Sequence, residues 1–188
     1  TLFRSKACSS AGQILHSSKS LVVSCHSHRQ TWRLPAPSLA NLKTLGLTVY
    51  NSEHVHLLYS LLNSTAILDE LLVAHTSEDS ARGAIIPPLI GNLAPNLSKL
   101  ALHNVRSFKL LPCKLLKLRH LRLSSSAFGP DLESSPDLLF SAMRAIPTLT
   151  SIRLQIDIDP RWDFSPESVL AFFRSAKPAL RTLIIHDL

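Results

Sequence analysis

The residues with the most chemical potential in this sequence are its nine histidines, three cysteines and 20 lysines and arginines. Cys8, Cys25, His26 and His28, with His54 and His56 farther along, could offer ligands to a soft metal ion. Structural zinc sites, however, rely on closely paired donors such as C-x-x-C to close a tetrahedron. No such pair occurs, so Cys25 to His28 reads as a polar loop with a free thiol, and no metal is expected. Asp157, Asp159 and Asp163 superficially resemble a calcium loop. They lack its turn glycine, and Pro160 and Trp162 stand between them, so they read as a strand end and an exposed corner. Nucleophilic catalysis needs a base within reach of a hydroxyl or thiol, and no G-x-S-x-G motif is present. The five glycines are too few and scattered for a phosphate-cradling loop. The chain is therefore expected to be no enzyme and to carry no cofactor.

The remaining chemistry is cationic. Lys99, His103, His120, Arg122 and Arg153 fall at alternating positions of short apolar segments, and they act together only if those segments lie side by side. Composition allows this. A chain of 188 residues with 45% hydrophobic and 18% charged residues can close one core, and its net charge of +7 excludes an acidic disordered tail. Leucine alone supplies 36 residues, a bias that points to a repeat using leucine at fixed positions.

An L-x-x-L-x-L template finds six copies: Leu42/Leu45/Leu47, Leu68/Leu71/Val73, Leu97/Leu100/Leu102, Leu118/Leu121/Leu123, Leu149/Ile152/Leu154 and Leu180/Leu183/Ile185. A degenerate seventh sits at Ser18/Leu21/Val23. The starts lie 26, 29, 21, 31 and 31 residues apart, bracketing the period of leucine-rich repeats. Pro95, Pro147 and Pro178 each stand two residues before the first leucine of a copy, where proline ends a helix and extends the chain for a strand.

The connecting segments carry helix signals. Asn51-Ser52 is a cap for a helix with Val55, Leu58, Leu61 and Leu62 on one face. Ser135-Pro136 begins a helix with Leu138, Leu139, Ala142, Met143 and Ile146. Ser165-Pro166-Glu167 begins another, with Val169, Leu170, Phe173 and Ala176, because proline is favoured at the first helical position. A shorter helix is expected over 84–93, begun at Pro87-Pro88, and an extended or one-turn connection between Leu97 and Leu118. A unit with one apolar strand edge and one apolar helix stripe buries both only by stacking on its neighbours. The expected fold is thus α/β, an irregular leucine-rich-repeat solenoid with a curved parallel sheet inside and helices outside. Residues 1–17 form a basic, serine-rich N-terminal segment, and 18–188 form six to seven repeats. A doubly wound α/β sheet is the alternative that the same alternation of strands and helices describes.

Pro37-Ser38-Leu39-Ala40-Asn41-Leu42-Lys43-Thr44-Leu45-Gly46-Leu47, Pro95-Asn96-Leu97-Ser98-Lys99-Leu100-Ala101-Leu102 and Pro178-Ala179-Leu180-Arg181-Thr182-Leu183-Ile184-Ile185 resemble the irregular repeats of fungal F-box/leucine-rich-repeat proteins. The resemblance spans roughly residues 18–188. It implies the substrate-recognition arm of a cullin-type ubiquitin ligase, in which an N-terminal F-box docks the cullin adaptor and the repeats hold the substrate. No F-box helix set stands in these residues. An asparagine ladder is also missing, since the ninth position of the copies is Tyr50, Thr76, Val105, Ser126, Asp157 and Leu188.

By two-residue alternation, the residues flanking each buried pair point to the concave face. Lys99, His103, His120, Arg122 and Arg153 then form one basic stripe, suited to an acidic surface on a protein partner, while Lys117 and Arg119 are expected to point elsewhere. A solvated sheet face is the plainer account of such a stripe. Nucleic-acid binding is a second reading of the same charge, against which stands the lack of aromatics or glycines interleaved with the cations. A small α/β hydrolase is a third.

The first 52 residues hold no Asp or Glu but six cations, Arg4, Lys6, Lys19, Arg29, Arg33 and Lys43. An organelle transit peptide shares this composition; Leu21-Val22-Val23, which reads as a buried strand, favours an exposed basic face on the first repeats. The chain opens on Thr1, the expectation being a fragment or processed product, and Leu188 ends within a copy with no polar cap, so more chain or a partner is expected to cover that end. No apolar run is long enough for a membrane helix, and Cys8, Cys25 and Cys113 are too sparse for a disulfide framework. Reduced thiols in the cytoplasm or nucleus are expected. Asn63-Ser64-Thr65 and Asn96-Leu97-Ser98 match the glycosylation pattern by chance on this reading.

Overall fold

A computed structural model describes residues 2–3, 19–23, 39–75, 80–104, 115–124, 143–156, 166–175 and 179–187. Eight strands build one parallel sheet: β1 (Leu2–Phe3), β2 (Ser20–Val23), β3 (Thr44–Val49), β4 (Glu70–His75), β5 (Lys99–His103), β6 (His120–Ser124), β7 (Ser151–Ile156) and β8 (Thr182–Asp187). Their order across the sheet is their order along the chain. A doubly wound sheet reverses its winding at a switch point. The described strands contain no such reversal, unlike the doubly wound alternative. The sheet also begins with β1, inside the segment read as a separate N-terminal stretch.

The template positions stack into columns. Leu21, Leu45, Leu71, Leu100, Leu121 and Ile152 form one, and Val23, Leu47, Val73, Leu102, Leu123 and Leu154 another, all buried. The first template leucines, Leu42, Leu68, Leu97, Leu118 and Leu149, are buried as well. In the last copy Leu180, Leu183 and Ile185 pack against this core but are only partly buried. A further column precedes the template: Leu39, Thr65, Ala94, Leu115 and Ile146 are buried three residues before each first leucine. At four of these, the N–H of the leucine donates back to that carbonyl (Leu42 to Leu39, Leu97 to Ala94, Leu118 to Leu115, Leu149 to Ile146), closing a tight turn. Pro95 and Pro147 occupy the second position of such turns, where a fixed φ of about −65° is favoured. Their role is therefore turn formation rather than extension of the strand; Pro178 lies outside the described residues.

Strand entry is locked by a repeated main-chain pattern. The Lys19 carbonyl accepts from both the Lys43 and Thr44 N–H groups, at 2.9 and 3.0 Å. The carbonyls of Lys43, Asp69, Ser98, Arg119 and Thr150 each accept from two successive N–H groups of the next copy in the same way. Every copy thus enters the sheet in step with its predecessor, so no slip of one residue can exchange inner and outer faces.

Helices cover the leucine side. Helix α1 (Ser52–Ser64) begins where Asn51 Oδ1 accepts from the His54 N–H at 3.0 Å, and it buries Leu58, Leu61 and Leu62. Helix α2 (Ser80–Leu93) is longer than the expected 84–93 and runs through Pro87 and Pro88 instead of starting at them. The two missing N–H donors are outweighed by burial of Ile86 and Ile90 and by packing on α1. Helix α3 (Pro166–Ser175) starts at proline as expected. Among its described side chains the buried one, however, is Phe172, with the Arg144 guanidinium 6.0 Å from the ring centroid, whereas Leu170 and Phe173 of the expected stripe are exposed. The Ser135-Pro136 helix start and the connection across 105–114 lie outside the described residues. Among the described residues no helix is long and apolar enough to cross a membrane.

Candidate functional site

With one face of the sheet closed by leucines and helices, the other presents the alternate residues of every strand in three rows set by the register. The first row runs Ser20, Thr44, Glu70, Lys99, His120, Ser151, Thr182. The second runs Val22, Gly46, Leu72, Ala101, Arg122, Arg153, Ile184, and the third Thr48, Ala74, His103, Ser124, Gln155, His186. Neighbours within a row stand about 4.8 Å apart.

All five expected residues are exposed on this face. They occupy one block over β5, β6 and β7. Lys99 lies opposite His120 in the first row, Arg122 opposite Arg153 in the second, and His103 opposite Ser124 in the third. His103 Nδ1 and Ser124 Oγ are 2.7 Å apart, and Arg122 Nη2 donates to Gln155 Oε1 at 3.2 Å. Lys99 Nζ sits 3.8 Å from Glu70 Oε2, both side chains about half exposed. An ion pair that wet contributes about 0–1 kcal/mol, so Lys99 stays available to a stronger acid. Glu70 is the one carboxylate in the three rows. Among the described residues the two arginines thus hold partner positions with no acid in their row, and like charges directly opposite on neighbouring strands repel.

The opposite end of the second row is apolar. Leu72 is 48% exposed, flanked by Ala74 and Ala101. Gly46 is a close approach, since a Cβ there would lie 3.2 Å from Val22 Cγ1, and Val22 occupies the space a side chain would take. The face thus passes from an apolar shelf on β2–β4 to a cationic block on β5–β7, a pairing of contacts that suits a protein surface carrying carboxylates beside an apolar side chain.

Two cations expected to point away from the sheet face stand off its rows, at the edge where the strands begin. Lys117 and Arg119 join Lys99 and His120 there along a groove of about 580 Å³. No signal at the level of strand alternation could have found them, because both stand in or beside the turn that precedes β6. Of the weaker metal candidates, His54 is buried in α1 and its Nδ1 accepts from the Tyr50 N–H at 3.2 Å, a contact that ties the strand exit to the helix. His56 is exposed two residues on. Cys8, Cys25, His26, His28, Asp157, Asp159 and Asp163 lie outside the described residues. Among the described ones, no three His, Cys, Asp or Glu side chains are grouped to hold a metal ion. Compared with known proteins, the chain matches no protein-family model, no curated protein and no solved structure.

Proposed function

We propose that this chain is a non-enzymatic leucine-rich-repeat scaffold whose concave sheet face binds an acidic surface of a protein partner. In the fuller form of this reading it is the substrate-recognition arm of an F-box protein in a cullin-type ubiquitin ligase, acting in the cytoplasm or nucleus. The observation that carries the reading is the Arg122–Arg153 pair, two exposed arginines in register with no carboxylate in their row among the described residues. Repulsion held at a fixed site is relieved when a carboxylate seats between the two forks, so binding is favoured there over any other point of the face. Sequential stacking of leucine columns supports the repeat assignment, and the resemblance of the repeats supports the ligase arm.

Affinity capture from cell extract tests the reading. The wild-type chain should recover a protein set that Arg122→Glu with Arg153→Glu loses, while thermal unfolding of the variant stays nearly unchanged. An unaltered set would remove this face from the site. Nucleic acid recovered at low salt and lost at high salt would replace the protein partner with a phosphate backbone. Co-purification of a cullin adaptor with the protein from its own cells supports the ligase arm, and its absence removes that part alone.

A further inference from the structure

The groove at the strand-entry edge has a structure of its own. Three consecutive turns present Asn96, Lys117 and Thr148 at equivalent positions, one residue before the template leucine. Lys117 Nζ donates to Asn96 Oδ1 at 2.8 Å, bridging two turns, and Thr148 Oγ1 donates to the Leu118 carbonyl at 2.8 Å. One residue after the leucine stand Asp69, Ser98 and Arg119, whose carbonyls are taken up by the strand-entry pattern. Lys99 and His120 then open the first row of the sheet face. Four cationic or titratable donors thus line about 580 Å³ with Asp69 as the one acid among its lining residues, and Leu116, 62% exposed, stands beside them.

We propose that this groove binds an extended acidic peptide segment of the partner, which passes over the edge of the sheet and continues onto the face. The proposal rests on the protein-scaffold reading and assigns the partner a second point of contact. Lys99 and His120 belong to both the groove and the basic rows, so the cationic surface is continuous around the edge. Carboxylates meet Lys117 and Arg119, and an apolar side chain of the same segment covers Leu116. A nucleic-acid strand fits less well: no Phe, Tyr or Trp lines the groove to stack a base, whereas exposed Leu116 offers an apolar contact that a peptide side chain can cover.

Fluorescence anisotropy with a labelled oligoglutamate at low salt provides the test, with an oligothymidylate of equal charge as comparison. Lys117→Gln with Arg119→Gln should weaken oligoglutamate binding about tenfold, the loss of two exposed charge contacts. Arg122→Gln with Arg153→Gln reports on the face separately. If the groove variant binds as wild type while the face variant weakens, the groove proposal fails and the scaffold reading stands. If the groove variant weakens and the face variant does not, the groove stands and the face reading fails. Tighter binding of oligothymidylate than of oligoglutamate, or no oligoglutamate binding by wild type, overturns the acidic-peptide assignment. Both groove residues are exposed, and Lys117→Gln alone gives the same answer should the double variant fold poorly.

Discussion

Arg122 on β6 lies directly opposite Arg153 on β7, and Arg122 turns to donate to Gln155 Oε1 at 3.2 Å, one step along the neighbouring strand. Partner positions on adjacent strands bring two like charges close, an arrangement that costs stability. Its effect on stability is about 0.2–1 kcal/mol, the usual range for a cross-strand pair. Arg153→Gln should therefore raise the urea midpoint at low salt, and by less at salt high enough to screen the charges. Equal midpoints at both salt levels would mean that the two guanidiniums do not interact.

Leu71 and Leu72 are adjacent in sequence and opposite in environment, one fully buried and the other 48% exposed. Leu71→Ala should cost about 2–5 kcal/mol of unfolding free energy. Leu72→Ala should stay within about 0.5 kcal/mol while weakening partner capture. Comparable destabilisation by both would mean that β4 does not separate two faces.

Asn51 caps α1 through Oδ1, which accepts from the His54 N–H. Asn51→Ala should destabilise by about 0.5–2 kcal/mol and Asn51→Asp by much less, because a carboxylate caps equally well and favours the helix N-terminus. Unfolding curves followed by far-ultraviolet circular dichroism check this, and equal losses in both variants would contradict the cap.

Much of the sheet was legible because strand burial follows a rule that residue types obey. Leu45, Leu71, Leu100 and Leu121 had to face one way, and the cations between them the other. Helical detail was less legible. Val169-Leu170-Ala171-Phe172-Phe173 is apolar throughout, so periodicity could not single out Phe172, which is buried by its place against Met143 and Ile146. Pro87-Pro88 read as a helix start because proline is tolerated there, but tertiary burial of Ile86 and Ile90 carried α2 across them. The column of Leu39, Thr65, Ala94, Leu115 and Ile146 was missed since alanine and threonine carry no leucine signature. Lys117 and Arg119 needed the turn geometry before their side chains could be placed in the groove.

Cysteine pairing across the basic block tests the central claim most directly, that successive copies stack in register and so align these residues. With the three native cysteines replaced by serine, His103→Cys with Ser124→Cys occupies partner positions on β5 and β6. His103→Cys with Gln155→Cys spans two strand intervals, about 10 Å, beyond the reach of a disulfide. Mild oxidation followed by mass spectrometry should show an intramolecular disulfide in the first variant and free thiols in the second. A disulfide in the second with free thiols in the first would contradict the register, and with it the arrangement of the proposed binding face.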